Sequence, residues 1–321
     1  MAVATGIGSM PGTDVAETVK LVLGETGDLP FVPELPARGV HAGMIGRTVA
    51  LLEGLEADLQ PGGWRVGVGE GVDVRRARSL LAQDLDVVEE LADDYAGPLK
   101  IQVTGPLTLA ASVERPRGDK MLADHGARRE LAQSLAAGVG SHVADVRRRF
   151  SRCDVVVQVD EPGITAVLAG QVPTASGWSK HRTMHPPEAD ELLRGVVDAI
   201  ASAGGRPVVH SCAPDVPVPL LAGAGFTAIS FDLPLARPAD AWAEAFEAGV
   251  DLWPGVVPTT GFTPSDRAMI EQVDAFFGRL GFGEEAVDER LVVTPTCGLA
   301  GASPQGARAA LAAARTVAAR R

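Results

Sequence analysis

A histidine and a cysteine one residue apart, His210-Ser-Cys212, share this chain with a carboxylate at Asp232 and a second cysteine at Cys297. Each closes an apolar, strand-like run: Val-Val-His210, Ile-Ser-Phe-Asp232 and Thr-Pro-Thr-Cys297-Gly. Thiolate, imidazole and carboxylate are the donors that zinc accepts in four-coordinate sites. The chain has only three cysteines, and two of them fall in this set. His210 and Cys212 alternate along a strand, so both side chains can face the same way. Two thiolates and an imidazole would hold the ion, while the carboxylate could yield to an incoming ligand. A thiol substrate delivered there would be ionised near neutral pH and remain nucleophilic. Taken singly, Cys212 and Cys297 also read as small buried hydrophobes. His210 and Asp232 have no structural reason to accompany them. Cys153 precedes its strand, outside the set, and reads as structural.

A second group is acidic. Val-Asp160-Glu161-Pro ends one apolar run, and Pro-Glu34-Leu-Pro ends another. Carboxylates in such places clamp an ammonium group or act as general acid or base. The backbone of Ile7, Gly8 and Ser9 could receive a carboxylate, because glycine lets a ligand approach closely. Together they suit the two ends of an amino acid. Competing readings are a solvated charge for Glu34, and a helix cap or buried ion pair for Asp160 and Glu161. His41 could reach such a site. His181, His185 and Trp178 fall in a long stretch, residues 170–187, whose length suits a lid. For these residues surface and packing roles compete with function.

What positions these groups is a regular alternation. Eight apolar runs read as strands: residues 5–9, 30–35, 99–104, 155–160, 207–212, 228–232, 252–257 and 291–296. Amphipathic stretches between them read as helices, at 14–23, 75–94, 128–150, 188–203, 239–247, 265–280 and 304–319. The pattern predicts a (β/α)8 barrel in one domain spanning 1–321, with a doubly wound open sheet as the alternative. In a barrel the strand ends converge on one face, bringing together Ser9, Glu34, Thr104, Asp160, His210, Cys212, Asp232 and Cys297. Residues 62–71 suggest an extra hairpin, and 114–128 an exposed charged loop. No glycine-rich nucleotide fingerprint follows the first strand.

Composition narrows the partners. The 321 residues carry a net charge of −12 without a basic stripe, which argues against nucleic acid and anionic membranes. No run is long and apolar enough for a membrane span, and no signal peptide is evident at the start. Few, scattered cysteines speak against a disulfide framework. The expectation is a soluble, cytoplasmic enzyme.

Several of these segments are similar to a known family. Thr5-Gly-Ile-Gly-Ser-Met-Pro, Glu34-Leu-Pro, Gln102-Val-Thr-Gly-Pro, Gln158-Val-Asp-Glu-Pro, His210-Ser-Cys212 and Cys297-Gly-Leu resemble, in order, the catalytic half of cobalamin-independent methionine synthase. The resemblance implies a zinc-dependent barrel that methylates the homocysteine thiol to give methionine. It implies that His210, Cys212 and Cys297 bind zinc, with Asp232 where the family usually has Glu. It also implies that residues 7–9 receive the homocysteine carboxylate and that Glu34 and Asp160 clamp its ammonium. Three departures concern the rest. Asp232 is one methylene short, the seventh strand end reads Pro258-Thr259-Thr260 where the family has an Asp and a His, and Ala166 replaces a folate-binding Glu. The N-terminal barrel of the long enzymes has no counterpart in these residues. The thiol side is thus intact and much of the folate side is missing. The methyl donor is therefore expected not to be methyltetrahydrofolate, and a methylated corrinoid or corrinoid protein is a candidate.

Two other functions remain open at this stage. A thiol methyltransferase of the same superfamily could act on another thiol or with a corrinoid protein. A non-catalytic zinc- or homocysteine-binding relative would also carry the ligand set.

Overall fold

The computed structural model describes residues 2–67, 71–261 and 264–321. Its strands, in chain order, are β1 (Val3–Ala4), β2 (Ala57–Gln60), β3 (Gly63–Val66), β4 (Gly97–Thr104), β5 (Cys153–Asp160), β6 (Arg206–Ser211), β7 (Ala228–Asp232), β8 (Asp251–Val257) and β9 (Val292–Pro295). Seven of them form one curled, parallel sheet in the order β1-β9-β8-β7-β6-β5-β4, and β2 and β3 make a separate antiparallel pair. Parallel neighbours need long crossovers, and here each crossover holds one or more helices.

The expected first strand is displaced. Regular pairing begins at Val3 and ends at Ala4, and residues 5–9 continue with single bonds, Thr5 N–H to the Val293 carbonyl at 3.1 Å among them. The second expected strand is not a regular strand either. Residues 30–34 bond to the two edges of the sheet: Val32 N–H to Lys100 O (2.9 Å) and Lys100 N–H to Pro30 O (2.8 Å) on the β4 side. On the other side Glu34 N–H reaches Gly8 O (3.0 Å) and Met10 N–H reaches Glu34 O (2.8 Å). The cause is composition: Pro30, Pro33 and Pro36 have no N–H to give, so the ladder is reduced to isolated rungs.

Parallel register aligns the strand interiors. Gln102 pairs with Gln158, Gln158 with Val208, and Asp160 with His210; His210 pairs in turn with Ser230. A small apolar cluster of Leu29, Val156, Val208, Ala228, Trp253 and Val292, packed with Val3, floors the sheet's inner face. Because strand side chains alternate, the next residues on that face are Gln158, His210, Ser230 and Thr294. Beyond them come Asp160, Cys212 and Asp232. The large core lies on the other face, under the helices.

Most expected helices form, as Val15–Glu25, Val72–Leu91, His125–Arg149, Pro186–Ser202, Asp240–Glu247, Asp266–Arg279 and Pro304–Ala319. Short ones at Met44–Val49, Pro106–Ser112, Ile164–Leu168, Val218–Gly223 and Glu284–Asp288 add to them. The extra hairpin starts earlier than expected, turning at Pro61 and Gly62, and residues 68–70 of that expectation lie outside the described residues. The stretch 114–128 is not a free loop: Glu114, Met121, Leu122 and Arg128 are buried, and Glu114 accepts from Arg65 at 3.0 Å.

Gly255 sits where β8 and β9 slip register. A Cβ there would lie 2.7 Å from Pro295 O and 2.9 Å from Phe231 O, both backbone atoms that cannot swing away. Gly255→Ala should therefore lower stability by about 1–3 kcal/mol, the usual range for overpacking, in a urea titration. An unchanged midpoint would show that the two strands have slack.

Candidate active site

Three donors meet at the strand ends. His210 Nε2 or Nδ1, Cys212 Sγ and Cys297 Sγ all lie within 4.8 Å of one another. His210 is held by a 3.0 Å contact between Nδ1 and the Ser230 hydroxyl, its register partner on β7. That leaves Nε2, a buried nitrogen without a hydrogen-bond partner. Buried polar atoms are seldom left so, and an imidazole fixed through one nitrogen with the other free is the usual arrangement of a metal ligand. The two sulfurs are 2.8 Å apart and both thiols are free. The separation exceeds a disulfide bond. Sharing a proton with Cys212 holds the Cys297 thiol down at about 4, with the nearby imidazole adding to the effect. The same sharing pushes Cys212 up. The donor types and their spacing fit zinc.

Cys297 reaches the group by a turn. Its position is out of phase with the inner face of β9, and the chain bends after Pro295 to bring it in. Gly298 makes the bend close: a Cβ there would lie 2.0 Å from Ser9 Oγ, and Leu299 N–H bonds Ser9 O at 2.7 Å.

The trio borders a cavity of about 140 Å³ whose other walls include Ile7, Ser9, Glu34, Met44 and Asp160. Glu34 and Asp160 are both buried. Burial raises both carboxyls above the usual range; the neighbouring cations Arg47 and Lys100 draw Glu34 back, and Lys100 draws back Asp160. Arg47 Nε stands 3.8 Å from Glu34 and its guanidinium is 2.7 Å from Asp84, which Arg38 also grips.

Beneath the carboxylates lies a residue that sequence reasoning missed. Lys100, fully buried on β4, donates from Nζ to Ile7 O (2.9 Å), Gln158 Oε1 (2.8 Å) and Gln102 Oε1 (3.3 Å). Burial draws its pKa down to about 7 against the attraction of Asp160 and Glu34. In Leu-Lys-Ile-Gln-Val it looks like a surface lysine at the start of a strand. Only its phase with Gln102 and Thr104 signals an inward position.

A profile of the family described as the cobalamin-independent synthase catalytic domain matches residues 72–320. The chain belongs to that family. Residues 7–9 and Glu34 lie outside the matched stretch, yet they share the cavity with the matched ligand set. Among solved structures, a B12-independent methionine synthase from Shewanella sp. W3-18-1, in complex with selenomethionine, is similar. It has a TM-score of 0.65 and 13% identity, with 100% of this chain and 98% of that one covered. A tandem GH20 module of a pneumococcal exo-β-D-N-acetylglucosaminidase is similar at a TM-score of 0.51 and 9% identity, covering 98% and 85%. At these identities both likenesses concern the fold. No curated protein matches the sequence.

For this synthase-like domain, several expected site residues stand elsewhere. Glu161 is turned from the cavity: its carboxylate accepts Leu107 N–H and Thr108 N–H, each at 2.8 Å, and the Thr108 hydroxyl at 2.6 Å. It therefore caps the helix Pro106–Ser112, since alternation turns it the opposite way from its neighbour Asp160. Asp232 is not within the trio's 4.8 Å and lines a separate cavity with Arg237. Its Oδ1 is buried without a partner, and burial lifts the carboxyl to about 6. Thr104 spends its hydroxyl on Met44 O. His41 pairs with Asp73 at 2.7 Å and packs edge-on against Trp64. His181 faces Asp119 at 3.2 Å, His185 precedes the helix Pro186–Ser202, and Trp178 is 94% exposed. Cys153 points to Tyr95 O at 3.7 Å.

Glu161 makes a pH prediction. Burial lifts its carboxyl to about 7, against the pull of its three donors. A carboxyl raised on folding stabilises fully below its unfolded pKa, and that contribution is lost as pH rises through the folded value. From about pH 5 to 8 the unfolding midpoint should fall, and Glu161→Gln should flatten the fall while leaving zinc content unchanged. Parallel profiles for the two proteins would remove Glu161 as the titrating group.

Proposed function

We propose that the chain is a zinc-dependent S-methyltransferase that converts homocysteine to methionine, residues 1–321 acting as one (β/α)8 barrel with the segment 30–34 as its second strand. One observation carries the reading: the three metal-type donors and the carboxylate pair line the same amino-acid-sized cavity. Family membership supports it. So does the selenomethionine bound by the Shewanella protein, a selenium analogue of the proposed product.

In this reading His210, Cys212 and Cys297 hold the zinc, with Asp232 the fourth candidate ligand after a short displacement toward them. Bound there, zinc would supply the Lewis acidity that keeps a thiol ionised near neutral pH. The chain's own residues do the rest. Glu34 and Asp160 accept the substrate ammonium, and the backbone of residues 7–9 takes its carboxylate. Closing the amino acid between these two ends fixes its side chain toward the trio, which is positioning worth much of a barrier. Glu161 braces the strand end that carries Asp160.

The donor presents its methyl group from outside, since the cavity has room for little besides the amino acid. Ala166 is packed against the core and offers no polar group to a folate. We therefore favour a donor other than methyltetrahydrofolate, a methylated corrinoid among them. A zinc site built on thiolates needs its cysteines reduced, which favours the cytoplasm.

Protein purified without chelator should carry about one tightly held zinc per chain. Cys212→Ser and Cys297→Ser should each lose most of it, together with methionine formation from homocysteine over a panel of methyl donors. Full zinc and full turnover in either variant would sink the mechanism.

A further inference from the structure

Lys100 is a charged group that the proposed chemistry does not use, buried under the site it would serve. An ammonium carries three hydrogens and no acceptor. Here it meets three acceptors, Ile7 O, Gln102 Oε1 and Gln158 Oε1, so each hydrogen has one partner. A neutral amine would leave one of these contacts without a donor. The Phe31 ring, 5.2 Å away, adds a further contact that favours a cation.

The consequence lies in the two glutamines. A side-chain amide can sit either way round, and its neighbours decide which. An ammonium only donates, so both amides turn their oxygen to Lys100 and their NH2 outward, as the backbone carbonyls of Ile7 and Val32 on their other side also require. Gln158 then donates one hydrogen to Asp160 Oδ1 and the other to Ile7 O, both at 2.7 Å. Gln102 donates to Val32 O at 2.7 Å. Gly8 gives Gln102 the room: with φ at 152°, a Cβ there would lie 2.7 Å from the Gln102 amide nitrogen. One ammonium thus sets hydrogen bonds to three chain segments, and these are the ones that carry residues 7–9, Glu34 and Asp160.

We infer that Lys100, acting through Gln102 and Gln158, is the positioning residue that makes the cavity selective for an α-amino acid thiol over a plain thiol. It touches neither substrate nor metal. It fixes the Ile7 carbonyl, and with it the peptide that would receive the carboxylate. It also aims the Asp160 carboxylate that would receive the ammonium. The metal trio is held mainly from the other side, by Ser230 behind His210 and by the turn after β9 that carries Cys297, which meets the 7–9 segment only at Ser9. A ligand that meets only the metal should not register the loss of Lys100.

The inference rests on the homocysteine reading, and calorimetry on the zinc-loaded chain separates the two. Two ligands are titrated, homocysteine and 1-propanethiol, the second having a thiol but neither charged end. Lys100→Met removes the hub. Gln158→Leu keeps Lys100 but removes one of its three acceptors together with the relay to Asp160 and Ile7, and decides the matter should Lys100→Met not fold. In both variants homocysteine affinity should fall about 10- to 100-fold, the scale of a lost charge-assisted contact, with propanethiol affinity and zinc content unchanged. Equal homocysteine affinity in wild type and variants overturns the role of Lys100. So does a parallel loss for both thiols, which would mark a merely structural residue. If the wild-type chain itself binds propanethiol but not homocysteine, the substrate reading fails first and the inference falls with it.

Discussion

From β4 to β7 the strands run parallel in fixed register, so every second side chain of each strand returns to the same inner surface. The inner face is therefore built in tiers. Up each strand an apolar floor residue (Val156, Val208, Ala228, Val292) is followed by a polar one (Gln158, His210, Ser230, Thr294), then on β5 by Asp160 and after β6 by Cys212, with a step of two residues between β5 and β6. Any one-residue slip would exchange this set with the valines and isoleucine that pack under the helices. The site's geometry is thus inherited from register, and the contact between His210 and Ser230 across β6 and β7 is its most direct expression.

The same tiering explains how ionic groups survive in so small a space. A buried carboxylate or ammonium is costly unless neighbours replace the water it has lost. Lys100 is given three acceptors, Asp160 receives the Gln158 amide, and Glu34 has Arg47 nearby. Glu34 and Asp160 still face one another in an apolar-walled cavity, and both are held above their ordinary range. Burial is the main cause for both, and a cationic group between them would lower its cost. The trio follows the same logic: three donors within 4.8 Å of one another are complementary to a cation.

Carboxylates that look alike in sequence come to different ends here. Asp160 and Glu161 are adjacent, and alternation sends one to the cavity and the other to a helix N-terminus, where three donors occupy it. Asp232 ends β7 in phase with the mouth, yet its carboxylate stays outside the cluster of His210, Cys212 and Cys297. A side chain shorter by one methylene than the family's usual Glu is in keeping with that distance.

The sequence by itself determined the strand-helix alternation, most helices, and the donor chemistry of His210, Cys212 and Cys297, because periodicity and residue chemistry are local properties of the chain. His210 and Cys212 were legible as a pair for the same reason, being two residues apart at one strand end. What sequence could not settle depended on partners distant in the chain. The prolines at 30, 33 and 36 left the second run with rungs in place of a ladder, a matter of which neighbours still had donors to offer. Cys297 enters the site against the phase of its own strand, through a turn that closes only because Gly298 meets Ser9. Lys100 is an ordinary strand residue until Ile7, Gln102 and Gln158 surround it, and only tertiary structure brings those acceptors to one point. Burial is a property of the assembled neighbours, and it alone distinguishes a solvated lysine from the hub beneath the site.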